Sequence, residues 1–240
     1  MKILSPLILL LVVPALAWAR QGAFPVTETA ANAGIGIKQT GVLTYPASMM
    51  GEGIYSGEVR AVISVDAEGN LSDWLVTGYT QPAFAEAASA AIQRWKYEPT
   101  LVDGRARASR ADILFEFRLE GVIVMTLPGA STKHAFRQIL EERYAYRPVR
   151  LSELDRIPTP VHVVPPVARI DGPPRTVTVG FYIDEEGRVR MPAVERESAD
   201  DLLAAAAVAA VEQWRFEPPL RKGGRVLVYA YQEFTFKPKE

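Results

Sequence analysis

The side chains able to do chemistry in this 240-residue chain are few, and their types narrow the options. There is no cysteine, so disulfides, thiol nucleophiles, thiolate metal sites and lipid attachment at a cysteine are excluded. His134 and His162 are the only histidines, and no third ligand accompanies them at metal-site spacing. Asp66-Ala67-Glu68-Gly69 and Asp184-Glu185-Glu186-Gly187 lack the alternating oxygen ligands and distal Glu of a calcium loop, and they read as tight turns. Neither a Gly-x-Ser-x-Gly elbow nor a phosphate loop occurs. These residues predict a non-enzymatic chain with no cofactor and no metal. A carboxylate-only hydrolase is the enzyme alternative, because paired acids need not be close in the chain. The remaining chemistry is cationic: Arg105, Arg107 and Arg110 follow one turn, and Arg221, Lys222 and Arg225 follow an equivalent one. Such residues form either a solvated strand face or a basic rim that steers an acidic peptide or cell-wall polymer.

The elements that would position these groups occur twice. Trp95-Lys96-Tyr97-Glu98-Pro99 returns as Trp214-Arg215-Phe216-Glu217-Pro218, 119 positions later. The turn glycines Gly69 and Gly187 are 118 positions apart, and Phe115 and Phe117 answer to Phe234 and Phe236 at a spacing of 119. A repeat that holds register across apolar positions, turns and a proline predicts two copies of one fold. In the first copy, alternation predicts strands over 58–65 and 71–76 joined by the Gly69 turn. Phe84, Ala87, Ala88, Ala91, Ile92 and Trp95 fall on one face of a helix over 82–94, which Pro99 cannot continue. A last strand over 111–118 puts Ile113, Phe115 and Phe117 on one face. The second copy repeats this order: strands over 176–183 and 188–194, a helix from 201 capped by Ser198 or Asp200, and a strand over 229–236. Pro192 makes the second of these strands short or peripheral. Trp95 and Trp214 close the apolar helix faces and are expected in the cores. The fold class is therefore α+β, two small antiparallel sheets each with one helix on its apolar face.

Residues 1–19 carry one Lys, an apolar run and Ala17-Trp18-Ala19, the features of a secretory signal peptide; at 17 residues from Ile3 to Ala19, interrupted by Pro6 and Pro14, the stretch is short for an anchor, which is the alternative. Residues 20–41 are expected to be a flexible leader, 42–120 the first domain, 121–153 a connector with a strand over 122–127 and a helix over 131–144, and 154–240 the second domain entered by a Pro-rich extended arm. With 27 basic against 28 acidic residues no global field attracts nucleic acid.

Tyr45-Pro46, Gly57-Glu58-Val59, Asp66-x-x-Gly69, Trp95-x-Tyr97-x-Pro99, Gly104 and Phe115-x-Phe117 resemble, in that order, the C-terminal domain of the TonB energy transducers. Leu154-Asp155-Arg156-x-Pro158, Val164-Pro165-Pro166, Asp184-x-x-Gly187, Trp214-x-Phe216-x-Pro218 and Phe234-x-Phe236 are similar in the second copy. The resemblance implies a periplasmic protein-binding domain that grips a peptide of an outer-membrane transporter by adding it as a strand, in the service of energy transduction. An open sheet edge suits that role, since a peptide backbone satisfies its unpaired groups, and the same edges would allow two copies of the chain to pair. The final strands over 111–117 and 229–236 are the expected edges, with Arg105, Arg107, Arg110, Ile113, Phe115, Arg225, Tyr229 and Tyr231 as partner-binding candidates. Gly69, Trp95, Pro99, Gly187, Trp214 and Pro218 are the structural signature. The chain departs from a transducer in having no His in the N-terminal apolar segment and no long Pro-rich linker before the first domain. An envelope adaptor that keeps the fold without the motor is thus the alternative function.

Overall fold

A computed structural model describes residues 26–30, 35–39, 43–102, 104–127, 143–195 and 201–238. The first module contains β1 (Val26–Ala30), β2 (Gly36–Gln39), α1 (Ala47–Gly51), β3 (Ser56–Val65), β4 (Leu71–Tyr79), α2 (Pro82–Arg94), β5 (Lys96–Glu98), β6 (Thr100–Val102), β7 (Arg105–Arg107), β8 (Ser109–Arg118) and β9 (Gly121–Leu127). The second contains β10 (Pro160–His162), β11 (Arg175–Ile183), β12 (Val189–Val194), α3 (Asp201–Val211), β13 (Arg215–Phe216), β14 (Leu220–Arg221), β15 (Gly224–Arg225) and β16 (Val228–Phe236). The main sheets run β1-β9-β8-β3-β4 and β12-β11-β16. The architecture is α+β in both modules.

Each core follows from the strand period of two meeting the helix period of 3.6. Val59, Ala61, Ile63 and Val65 of β3 turn toward Phe84, Ala88, Ala91 and Ile92 of α2, all of them buried. In the second module Val177, Val179, Phe181 and Ile183 meet Leu203, Ala207 and Val211. Phe84 and Leu203, Ala88 and Ala207, and Ile92 and Val211 are each 119 positions apart, so the repeat is kept at the level of packing.

The two signature tryptophans, also 119 apart, differ in one bond. Trp214 Nε1 donates to the Val164 carbonyl at 2.8 Å, tying the Pro-rich arm to the helix end. Trp95 Nε1 is buried and finds no acceptor among the described residues. Trp214→Phe would strand the Val164 carbonyl, a loss of about 1–3 kcal/mol beyond that of ring volume, whereas Trp95→Phe removes an unsatisfied donor. Urea unfolding of the two variants is expected to rank Trp214→Phe as the more damaging.

The stretch read as a flexible leader needs correction. It supplies β1, which runs parallel to β9, and β2, which pairs antiparallel with β5 at Gly36↔Glu98 and Ile37↔Tyr97. In the second module β10 pairs with β13 in the same way, so β2 is the counterpart of the Pro-rich arm. The arm itself is ordered by backbone bonds at the positions between its prolines, Val149 to Leu227, Asp155 to Leu220, and Glu217 to Thr159. The signal peptide, the helix expected over 131–144 apart from its last two positions, and the Ser198 or Asp200 cap lie outside the described residues.

The faces of the two sheets that carry no helix pack against each other. Val62, on the side of β3 away from α2, joins Tyr182, Met191 and Leu227 in a third buried cluster. Met191 sits in a β-bulge of β12 at φ +50, next to Pro192. The bulge turns its carbonyl to Arg110 Nη1 at 2.5 Å and its sulfur to the Ser64 hydroxyl at 3.3 Å. Arg190 donates to both carboxylate oxygens of Asp73, at 2.5 and 3.2 Å, and to the Trp74 carbonyl at 2.9 Å. Tyr146 stacks on Tyr79 with ring centroids 5.0 Å apart and donates to Glu185 across the seam. Burial, then the hydrogen bond to Glu185, pushes the Tyr146 hydroxyl well up, so it remains a proton donor across the physiological range.

Candidate partner-binding edge

The sheets differ at one place. In the first module β8 pairs with β3 on one side and with β9 on the other, so it is internal. Its counterpart β16 pairs with β11 from Val228 to Phe236; on its other side, among the described residues, it has only the single bridge of Val228 to Val149 at its start. The consequence is visible in the signature aromatics. Phe115 and Phe117 are fully buried, while Phe234 at the place of Phe115 is only half-buried, its ring edge-on to Trp214. An edge strand presents alternate N–H and C=O groups outward, and β16 is the long edge of the second module that follows the signature motif.

The candidate residues fall into three groups. Arg105 and Arg107 are exposed on the β6–β7 hairpin, and Arg225 is exposed on the β14–β15 hairpin. Tyr231 is 72% exposed on β16. Tyr229, on the same face of β16, donates its hydroxyl to Glu195 and packs edge-on against Tyr182, which places it in the seam. Ile113 and Phe115 are corrected: both are 0% exposed, because β9 converts the expected edge into the middle of a sheet. Arg110 is corrected as well, since its guanidinium lies over the Tyr182 ring and bonds Met191, so it belongs to the seam and not to an open rim. Gln232 and Phe234, which line the helix side of the edge, were missed as site residues. No local signal in the sequence marks them, because the exposure of an edge depends on which backbone lies beside the strand.

The turn of the β14–β15 hairpin is held by the Asp155 carboxylate, and its Arg221 pairs with Glu153 at 3.2 Å. Asp155 accepts the backbone N–H of Lys222 at 2.7 Å and of Gly223 at 2.8 Å, and the Gly223 bond followed by the Lys222 bond holds its carboxyl below the usual aspartate range. A depressed folded pKa gives stability that is present above the ordinary aspartate value of about 3.9 and lost as pH falls through the folded value. The amide shifts of Lys222 and Gly223 are therefore expected to titrate with a midpoint below about 3.9, and Asp155→Asn to remove that titration. A midpoint at or above the ordinary value would mean that the carboxylate does not hold the hairpin.

Gly69 and Gly187 hold the other signature contact. Both have positive φ, at +85 and +79, and both lie against the backbone of the motif that follows the helix: Gly69 against Tyr97, and Gly187 against Phe216, whose N–H donates to the Gly187 carbonyl at 2.8 Å. Turn and Trp motif are thus one packed unit in each module, which is why the chain carries them together twice.

No curated protein matches the chain. Residues 42–119 and 165–238 each match the family described as Gram-negative bacterial TonB protein C-terminal. Domains of that family are non-catalytic parts of energy transduction in the cell envelope, and in general they bind outer-membrane transporters. Among the described residues no helix is long and apolar enough to cross a membrane. With both modules matched in the order of their strands, turns and aromatics, the chain belongs to the TonB C-terminal family and carries its domain in two tandem copies.

Proposed function

We propose that this chain is a periplasmic peptide-binding protein of the TonB type, whose second module takes a strand of an outer-membrane transporter on β16 and so takes part in energy transduction to transport. The observation that carries this reading is the asymmetry of the two modules: β8 is covered by β9, and β16 beyond its first residue, Val228, pairs on one side only among the described residues. The first module serves as the rigid partner, fixed to the second by Arg190, Asp73 and the Met191 bulge. The exposed cations Arg105, Arg107 and Arg225 steer an acidic stretch of the partner.

Proline at an outward-facing position of an edge strand keeps the strand but removes the donor a partner needs. Gln232 and Glu233 are adjacent on β16, so one of them points its N–H outward. Of Gln232→Pro and Glu233→Pro, one is expected to keep the native circular dichroism and lose photo-cross-linking from position 231 to a transporter in envelope fractions. If the variant that keeps its fold cross-links as before, strand addition on β16 is wrong. Peptide mapping of the N-terminus in membrane and soluble envelope fractions then decides the motor: retention of residues 1–19 in the membrane fraction supports direct coupling, and a soluble chain beginning at Arg20 makes it an adaptor.

A further inference from the structure

Away from the β16 edge, two apolar surfaces are uncovered among the described residues, and they complement each other. The first is the Pro-rich arm. Ile157, Val161, Val163 and Val167, all at odd positions, are 73, 69, 49 and 88% exposed. Pro158 is buried, and Val164 and Ala168 pack against the second core, so the alternation turns an apolar stripe outward. The arm is fixed in this attitude, because Trp214 Nε1 holds the Val164 carbonyl and β10 pairs with β13. From Arg156 to Ile170 it contains no acid, and its basic side chains are Arg156, His162 and Arg169.

The second is an open groove of about 570 Å³ between α2 and β4. Trp74 and Tyr79 of β4, with Tyr146, give it aromatic walls, Ala90 of α2 faces them, and its charged lining residues are the acids Glu86 and Glu185, with no cation among those described. An extended Pro-rich segment loses little conformational entropy on docking to an aromatic-lined groove. At about 3.1 Å per residue, Val161 to Val167 spans about 20 Å, the length of the 13-residue α2 at about 1.5 Å per residue. We propose that the groove of one chain takes the arm of a second copy, with Val161, Val163 and Val167 against Trp74 and Tyr79 and the basic arm beside Glu86 and Glu185. Opposite charge selects this occupant, and the exposed stripe supplies the apolar area that a groove of this kind covers. Since the arm is fixed to its own second module, it reaches a groove as part of a whole copy and not by peeling away. Two copies that exchange arms about a twofold axis cover both stripes and both grooves, the closed pairing that soluble oligomers favour. The β16 edge takes no part, so the pairing is independent of strand addition.

The test is the oligomeric state of the full chain by sedimentation velocity. The unaltered chain is expected to pass from monomer to dimer as its concentration rises to about 100 µM, and Val161→Asp combined with Val163→Asp to raise the dimer dissociation constant at least about 100-fold, from loss of buried valine contacts. Ala90→Arg, which sets a cation in the groove against the basic arm, is expected to weaken the dimer as well. All three positions are exposed in the single chain, so circular dichroism is expected to stay native. The absence of cysteine allows a direct check of the contact. A Val163→Cys chain mixed with an Ala90→Cys chain, each position central to its surface, is expected to form a disulfide between the unlike chains under mild oxidation. A chain that stays monomeric overturns the proposal and leaves arm and groove to a different protein. A dimer unmoved by both the arm and the groove variants overturns it too, since the pairing then lies elsewhere, as does linkage between like chains alone.

Discussion

Gly187→Ala is expected to lower the unfolding stability by about 3 kcal/mol or more, the largest single effect of any small substitution in the second module. At φ +79 an L side chain is strained by about 1–2 kcal/mol. A Cβ at this position would also overlap the carbonyl oxygen of Phe216. Neither backbone can retreat, because Phe216 N–H is bonded to the Gly187 carbonyl at 2.8 Å. Gly69 provides the internal comparison: its φ is +85, but the nearest atom to an added Cβ is the Tyr97 oxygen at 2.7 Å, a milder collision. Gly69→Ala is expected to be destabilising by a smaller amount. Urea midpoints decide it, and a larger effect at Gly69 than at Gly187 would sink the account of turn and Trp motif as one packed unit.

The second large effect separates two neighbours on one strand. Val62 and Ile63 are both fully buried in β3, yet Ile63 is covered by α2 and Val62 by the other module. Val62→Asp sets a carboxylate among Tyr182, Met191 and Leu227, where an unpaired charge destabilises by about 3 kcal/mol or more. The first module does not need Val62 for its own core, so the strain is relieved by parting the modules. X-ray scattering is expected to show a larger radius of gyration with circular dichroism nearly unchanged. Ile63→Asp strikes the core under α2 and is expected to unfold the first module outright. If Val62→Asp leaves the particle as compact and as stable as before, the seam is not where Val62 is buried. The ion pair of Arg190 with Asp73 adds less, since both side chains keep solvent contact and surface pairs are weak.

Much of the fold was legible before any coordinates. The α2 range, the paired strands around Gly69 and Gly187, and the strand at 122–127 follow from alternation, helical spacing and turn residues, all of them local signals. Leu203, Ala207 and Val211 could be placed opposite the second sheet because the period of α3 and the repeat spacing agree. The strands at the edges were harder. β2 carries Gly36 and Ile37 in a Gly- and Ala-rich stretch with no period, and it is held by backbone pairing to β5 and by Ile37 packed against the first core.

By itself the sequence determined two copies of an α+β module, the residues of each core and the family to which they belong. Those properties rest on side-chain patterns within about a dozen residues, where burial of one face leaves a periodic trace. Only the tertiary structure decided that β8 is internal while β16, among the described residues, is paired on its second side only at Val228, that Arg110 and Tyr229 belong to a seam, and that Ile113 and Phe115 are core residues. Whether an edge is open depends on which backbone comes to lie beside it, and backbone groups are the same in every residue but proline. Whether the second face of a sheet is buried depends on another module whose contacts lie more than 100 positions away, as Arg190 lies from Asp73. Neither leaves a local pattern, so the edge and the seam had to be seen in three dimensions.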